Sequence, residues 1–255
     1  MDDGDARSEG TMDVRRRTWL PVASLLLSLG CSSPRPVEGV WRPGPGEAPD
    51  HIPGPLKNFG PYTAYADALK AACPLILSKP HATVSHLQDS SPQLARRTAT
   101  EYCAWLYYTP EHTYEMSMLA DRSRPDDLVT GLRSCVLPAF VDDSRYPPGS
   151  LKHIFALHNH PFGTRLSATD LRFIEAMANV HEWEVMTRNG NVRLSIIAFF
   201  SKSRDPQAPT CDGFYQYIPA TREMMLWTRS QEQWRRDMHG VVTWVNERTY
   251  RIESP

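Results

Sequence analysis

The pattern of apolar and polar positions is clearest in residues 152–177, where it changes from a strand period to a helix period. The first half alternates strictly between two faces, with Ile154, Ala156, His158 and His160 on one and Phe155 and Leu157 on the other. A two-residue period is that of a β-strand, whose successive side chains point to opposite sides of a sheet. The stretch therefore predicts a strand that carries two histidines on one face near its end.

The second half of the same stretch predicts a loop and then a helix. Pro161 and Gly163 interrupt the strand, and Ser167-Ala-Thr-Asp170 has the form of a helix start, with Ser167 as the N-cap. Apolar residues then recur at helical spacing, at Leu171, Ile174 and Ala178. Strand, loop and helix start are thereby expected to bring two imidazoles and one carboxylate towards the same pocket.

Other segments predict a mixture of helices and strands. The predicted helices cover residues 64–72, 92–98 and 220–237. Asn189-Gly190 is a strong hairpin signal between two of the predicted strands. The predicted strands cover residues 102–108, 113–119, 182–186, 192–200, 214–218, 241–245 and 249–252. This mixture predicts a single α/β (α+β) domain over residues 56–255, ending in a helix and a hairpin, with Trp227, Trp234 and Trp244 as packing residues.

The juxtaposed side chains suggest a metal centre. Two histidines and one carboxylate, with a fourth position for water, form the ligand set of a catalytic zinc site. The proposed ligands are His158, His160 and Asp170. Two structural explanations stay open: Ser167 and Asp170 can simply cap a helix, and two histidines at a strand end can be a polar rim or a bonded core pair.

The sequence HNHP followed by SATD resembles the JAMM signature of the MPN (JAB1/MPN/Mov34) metalloproteases, in particular their bacterial branch. The family pattern is H-x-H-P, a short loop and S-x-x-D; here the loop from Pro161 to Ser167 has five residues instead of the usual six. The resemblance covers roughly residues 101–200. It implies a curved mixed β-sheet flanked by helices, a Zn²⁺ cofactor, and hydrolysis of peptide or isopeptide bonds in a protein or peptide substrate.

Residues 101–106, EYCAWL, resemble the strand opening E-x-x-G-x-L of the same family, with Ala104 where glycine is common. The resemblance implies that Glu101 is the general base of catalysis, with Glu111 and Glu115 as fallbacks. A glutamate at a strand start can also simply be solvated. The resemblance further gives Ser167 the role of stabilising the oxyanion of the tetrahedral intermediate.

Three other functions remain open at this point. A catalytically inactive MPN-like module could act as a binding scaffold. A different metal hydrolase would need further ligands from the C-terminal half, where His181 and His239 are the available histidines. An HNH nuclease is suggested only by the spelling of the motif.

The N-terminal segment predicts export and lipid anchoring. Three arginines, at positions 15–17, precede an apolar run over residues 19–29 that ends at Gly30-Cys31. Eleven residues are too few for a membrane-spanning helix, which needs roughly 20, but they suit a signal peptide over residues 1–30. Cys31 resembles the lipidated cysteine of bacterial lipoproteins, which implies a lipid anchor in the cell envelope, on the outer membrane facing the periplasm. A plain signal peptide is the alternative.

Residues 31–55 are rich in proline and glycine, without periodic apolar positions, and predict an extended tether between anchor and domain. Without residues 1–30 the chain has 24 acids (29 minus 5) and 24 bases (28 minus 4), and is formally neutral. Nucleic-acid-binding proteins normally carry a basic patch. The composition therefore argues against a nucleic-acid partner.

The remaining cysteines and one long insertion complete the expectations. Cys73, Cys103, Cys135 and Cys211 form an even set in an oxidising compartment, which allows zero, one or two disulfides. Residues 121–150 are rich in loop-forming residues and lie between the strand after Glu101 and the histidine strand. This insertion either shapes a substrate groove or is a variable surface loop.

Overall fold

The computed structural model describes residues 36–44, 46, 50–84, 87, 91–123, 134–205, 207–230 and 233–254. The predicted signal peptide, the lipidation site Cys31 and the first residues of the predicted tether lie outside the described residues. So does the part of the insertion at positions 124–133.

The described chain is a mixed α/β structure in which strands predominate. The helices are α1 (Tyr65–Leu77), α2 (Pro92–Thr98) and α3 (Ala168–Val180). The strands are β1 (Val40–Trp41), β2 (His51–Pro53), β3 (Cys103–Tyr108), β4 (Tyr114–Met116), β5 (Leu119–Ala120), β6 (Phe140–Asp142), β7 (Lys152–Asn159), β8 (Glu184–Thr187), β9 (Gly190–Arg193), β10 (Ser195–Phe200), β11 (Gly213–Ile218), β12 (Glu223–Ser230), β13 (Gln233–Asn246) and β14 (Thr249–Glu253).

One large sheet organises these elements, in the order β1-β5-β3-β7-β10-β11-β12-β13-β14, with β4 paired to β3. The histidine strand β7 lies at its centre, antiparallel to β3 and parallel to β10. Every residue of β3 and of β10 is buried. Wholly apolar sequences such as SIIAFF occur in strands that are covered on both faces, because neither side of the strand meets water.

Each face of the central sheet has its own core. Phe155 and Leu157 pack on the side of α1, with Ile76 and Leu77 of that helix. The alternate residue Ala156 packs on the side of α3, in a cluster that includes Leu171 and Ile174. His158 follows in the same register as Ala156, so the strand period directs its imidazole to the α3 face.

Helix α3 begins where its sequence predicts. The Ser167 side chain accepts a hydrogen bond from the Asp170 amide, and the Asp170 carboxylate accepts one from the Ser167 amide, which together form a capping box. Leu171, Ile174 and Ala178 are its buried residues. Burial of a leucine or isoleucine side chain stabilises the fold by about 1.5–3 kcal/mol, so this stripe holds the helix against the sheet.

The predicted helix over residues 220–237 is wrong: this segment forms β12, the beginning of β13 and the turn before β12. β12 pairs with β11 on one side and β13 on the other, placing Phe214, Trp227 and Arg236 in one cross-strand row. β12 has apolar residues on both faces, with Met224 in one core and Trp227 packed against the other, so its apolar run MMLW does not alternate. The spacing of these apolar residues resembles that of a helix, but pairing with other strands determines the structure of the segment.

The predicted hairpins are confirmed. β8 and β9 flank the Asn189-Gly190 turn, where Gly190 has a φ of 109°, a value that glycine adopts without strain. The predicted strand over residues 192–200 divides at Leu194 into β9 and the central strand β10. β13 and β14 form the closing hairpin. The three tryptophans are partly buried and pack against the core, as expected: Trp227, Trp234 and Trp244.

Part of the predicted tether is ordered in the sheet structure. β1 pairs in parallel with β5, and β2 pairs in parallel with β6. Ile52 is completely buried. Single apolar residues between prolines anchor these short edge strands, where the missing proline N–H groups are tolerated. A compact unit accordingly begins at Pro36.

Two disulfides join the four cysteines. Cys73–Cys211, here called the helix disulfide, ties α1 to the segment before β11 across 138 positions. Cys103–Cys135, here called the site disulfide, ties β3 to the insertion across 32 positions. Within the described residues, no helix combines the length and apolar character that crossing a membrane would need.

Candidate metal centre

The two predicted histidine ligands converge at the end of β7. His158 is the next-to-last residue of the strand, and His160 is the first residue after the end of the strand. The His160 amide donates to the Phe199 carbonyl at 2.8 Å, which continues the pairing with β10 by one residue. The two Nε2 atoms lie 2.9 Å apart, and both side chains are at least 94 % buried.

Hydrogen bonds on the far side of each ring orient the imidazoles. His160 Nδ1 lies 2.7 Å from the Thr164 carbonyl oxygen, which can only accept, so Nδ1 carries the hydrogen. His158 makes a backbone hydrogen bond with Ile197 of β10. A second hydrogen bond of this kind fixes the tautomer of a metal-binding histidine and leaves the other nitrogen as the ligand atom.

The capping box of α3 delivers the third predicted ligand. Asp170 Oδ2 accepts from the Ser167 amide at 2.6 Å and lies 3.5 Å from His160 Nε2. Asp170 Oδ1 lies 3.7 Å from His158 Nε2. The structural explanation of Asp170 as a capping residue is therefore correct, and the same carboxylate also faces both imidazoles.

The three ligand atoms have the spacing that a tetrahedral metal requires. Around an ion bound at about 2.0–2.1 Å, neighbouring ligand atoms are about 3.3 Å apart. The two Nε2 atoms are 2.9 Å apart, and each faces a different oxygen of Asp170: His160 lies 3.5 Å from Oδ2 and His158 lies 3.7 Å from Oδ1. With one atom taken from each residue, the three ligand atoms lie within 4.8 Å of one another. In the described part of the chain, His158, His160 and Asp170 are the group of His, Cys, Asp and Glu side chains able to hold a metal ion. The donor set fits a divalent cation such as zinc.

The electrostatics of the three side chains are strongly coupled. Burial lowers the pKa of His158 to about 4, although the Asp170 charge opposes this shift. Burial also disfavours the charged form of His160, but the hydrogen bond and charge of Asp170 outweigh it and raise the pKa of His160 to about 9. Burial alone would raise the pKa of Asp170, yet the two imidazoles hold it well below its usual range. One positive charge is thus favoured beside the carboxylate, as a bound cation would be.

The structure brings Glu101 to the same place. It immediately precedes Tyr102 and β3, and it lines a cavity of about 90 Å³ together with His158 and Asp170. Its negative charge contributes to the raised pKa of His160. The fallback residues lie elsewhere: Glu115 is bonded to Arg145 at 2.6 Å, and Glu111 interacts with Tyr146.

Asn159, between the two histidines, has a positioning role that the sequence did not reveal. Its Oδ1 accepts from the Tyr102 amide at 2.7 Å, and its Nδ2 donates to the Thr100 carbonyl at 3.0 Å and the Ala82 carbonyl at 2.7 Å. The bonds to residues 100 and 102 hold the backbone on both sides of Glu101. The fully bonded amide explains the HNH spelling without a nuclease role.

Ser167 lies at the rim of the site and is exposed. Its Oγ accepts from the Asp170 amide at 3.2 Å. A hydroxyl that accepts still has its own O–H to donate. The structure therefore places the predicted oxyanion-stabilising residue beside the candidate metal ligand Asp170.

The site disulfide forms part of the cavity wall, which sequence reasoning did not anticipate. Cys103 lies opposite His158 across the β3–β7 pair. Cys135 and its neighbours at positions 134–137 line the cavity, opposite Phe173 of α3. The even number of cysteines was the available signal, but their pairing could not be read from it. The described part of the insertion thus contributes to the site.

The histidines that a different metal hydrolase would need do not join this centre. His181 Nε2 donates to the Ala139 carbonyl at 2.7 Å, and its ring stacks on His153 at 3.7 Å. The His239 ring contacts Tyr215, with centroids 6.1 Å apart. Both are therefore engaged outside the three-residue cluster.

Comparisons of the chain with protein-family models, with curated proteins and with solved structures returned no significant match.

The two disulfides should differ in what their removal changes. In a Cys103→Ser/Cys135→Ser double variant, the segment at positions 134–137 loses its tie to β3. The amide of Val136, which donates to the Arg122 carbonyl at 2.8 Å, should then exchange its hydrogen faster. The double variant of the helix disulfide should leave Val136 protected and lose more unfolding free energy, about 5 against about 4 kcal/mol, because its loop is longer.

Hydrogen exchange read by mass spectrometry and urea denaturation measure these two effects on the same samples. Equal protection of Val136 in both variants would show that the site disulfide does not hold the cavity wall.

Proposed function

We propose that this chain is a zinc-dependent hydrolase of peptide or isopeptide bonds, related in its site to the JAMM enzymes of the MPN family. The observation that carries the proposal is the meeting of four side chains in one buried location. His158, His160 and Asp170 are close enough together to hold one metal ion, and Glu101 lines a cavity together with His158 and Asp170. Three protein ligands leave a coordination position for water, which separates catalytic from structural zinc sites.

Each group would have a distinct part in amide hydrolysis. A zinc ion held by the three ligands would supply a Lewis acid that polarises the scissile carbonyl and lowers the pKa of water to about 7. Glu101 would accept the proton of the attacking water and pass it to the leaving nitrogen. The Ser167 O–H would donate a hydrogen bond to the developing oxyanion. The C–N bond breaks, a C–O bond forms, and the products are a carboxylate and an amine.

The arrangement of the fold supports this assignment of roles. Asn159 holds the backbone around Glu101 and belongs to the same strand as the histidine ligands. The pairing of β3 with β7 therefore holds Glu101 near the two histidines, and the capping box at the start of α3 positions Asp170 beside them. Such positioning by rigid elements is what proton transfer over hydrogen-bond distance requires.

The substrate proposed is a protein or peptide, with no nucleic-acid role. Neutral charge outside the first 30 residues supports this view. The alternative function is a catalytically inactive MPN-like scaffold that binds its partner at the same surface. The exposed position of Ser167, whose hydroxyl already caps α3, favours this alternative.

Glu101→Gln should separate metal binding from catalysis. Glutamine keeps the size and most hydrogen bonds of glutamate but cannot take a proton, so peptide cleavage should fall by about 10²–10⁴-fold while zinc content stays at one ion per chain. Asp170→Asn should lose zinc and cleavage together. Elemental analysis and cleavage of a peptide library, measured on the same preparations, test this.

The matched control is Glu111→Gln, which removes the same charge at the turn after β3 and should change neither quantity. Unaltered cleavage by Glu101→Gln would contradict the base assignment. A wild-type protein that binds zinc but cleaves no peptide would contradict the proposed enzymatic activity and favour the scaffold function.

We also propose that the protein is lipid-anchored through Cys31 in a bacterial envelope, facing the periplasm. The two disulfides support an oxidising compartment, because disulfides are rare in the reducing cytosol. Cys31→Ala should move the protein from the membrane fraction to the soluble fraction of disrupted cells. Identical partitioning of both forms would contradict the anchor.

A further inference from the structure

A second cavity, of about 530 Å³, lies on the opposite face of the sheet from the candidate metal centre. Phe155 of β7 lines it, and this residue points to the α1 side, whereas Ala156 and His158 point to the α3 side. Its walls come from α1 and from the β8–β9 hairpin, and its floor from β11, β12 and β13. Its volume is within the range of small-molecule sites, about 300–1,000 Å³.

The floor of this cavity is a continuous aromatic surface. The Phe214 and Trp227 rings stack with centroids 5.5 Å apart and planes at 19°. Trp234 adds a third ring, 5.3 Å from Phe214. Phe214 is buried, so the partly exposed Trp227 and Trp234 are the indole rings that line the cavity, and aromatic ligands pack against such rings.

The polar edge of this surface is already satisfied within the protein. Trp227 Nε1 donates to Gln216 Oε1 at 2.9 Å, and Gln216 Nε2 donates to Ser195 Oγ at 3.0 Å. The indole therefore has no hydrogen bond left to offer a ligand and can contact it only through its ring. The aromatic surface therefore favours a ligand with a flat, apolar ring.

The charged residues around the cavity are mainly cationic. Lys70, Arg193 and Arg236 line it against the single acid Glu184, a formal balance of +2. In the described part of the chain, Arg193 and Arg236 form no ion pair, whereas Lys70 contacts Asp67 at 3.1 Å. The Arg236 guanidinium lies 6.0 Å from the centroid of Trp227. A cation at the edge of a flat aromatic surface suits a ligand with an anionic group beside its ring.

We propose that this cavity binds a small, flat aromatic anion, with its ring against Trp227 and Trp234 and its carboxylate or sulfonate at Arg236. The site is independent of the proposed hydrolysis, because the sheet separates it from the metal ligands. Ligand binding in this cavity therefore requires neither zinc nor catalysis.

Fluorescence titration with 1-anilinonaphthalene-8-sulfonate, a flat aromatic sulfonate, tests the proposal on the full protein. One molecule should bind per chain, and the neutral analogue N-phenyl-1-naphthylamine should bind at least about fivefold more weakly, since it lacks the group that meets Arg236. Arg236→Gln should weaken sulfonate binding by about fivefold and leave the neutral analogue unchanged.

Arg235→Gln is the matched control. It removes the same charge from the neighbouring position of β13, which points to the other face and pairs with Asp237 at 2.9 Å. This variant should bind like wild type. Equal weakening by Arg235→Gln and Arg236→Gln, equal binding of the neutral analogue, or no saturable binding would each overturn the proposal.

Discussion

The carboxylate of Asp170 is the group on which the fold and the candidate metal centre both depend. One oxygen closes the capping box of α3 through the Ser167 amide, and the same carboxylate balances two buried imidazoles. Without it, Glu101 would be the remaining negative charge known to act on His160, and the two imidazoles would be buried beside each other. The helix start would also lose an anion where the helix dipole favours one. Because Asp170 has both roles, its replacement should disturb both the start of α3 and the candidate metal centre.

The central strands then determine how the remaining parts of the site are arranged. β7 leads into both histidines and Glu101 lies two residues before β3, so the antiparallel pairing of these strands places Glu101 near His158. Asn159 adds a side-chain link between the same two elements, and the site disulfide adds a covalent one to the cavity wall. The candidate site thus lies beside fully buried strands of the sheet, and the described part of the insertion lines its cavity.

The meeting of His158, His160 and Asp170 could be predicted from sequence because these residues are close in the chain. His158, His160 and Asp170 lie within 13 positions, so the strand period and the capping box were enough to place them together. The β12–β13 hairpin could not be predicted, because its apolar residues lie on both faces of the sheet. Only the pairing of β12 with β11 distinguishes this segment from a helix. The short strand β2 and both disulfides likewise depend on partners distant in sequence, which local patterns do not encode.

The most direct test of the central claim is zinc K-edge X-ray absorption on the purified, zinc-loaded protein. The account predicts about one zinc per chain with nitrogen and oxygen neighbours at about 2.0–2.1 Å and the outer-shell scattering of two imidazoles. His160→Ala should reduce that imidazole signal. A first shell containing sulfur at about 2.3 Å, or one without imidazole scattering, would contradict the assignment of His158, His160 and Asp170 as the ligands.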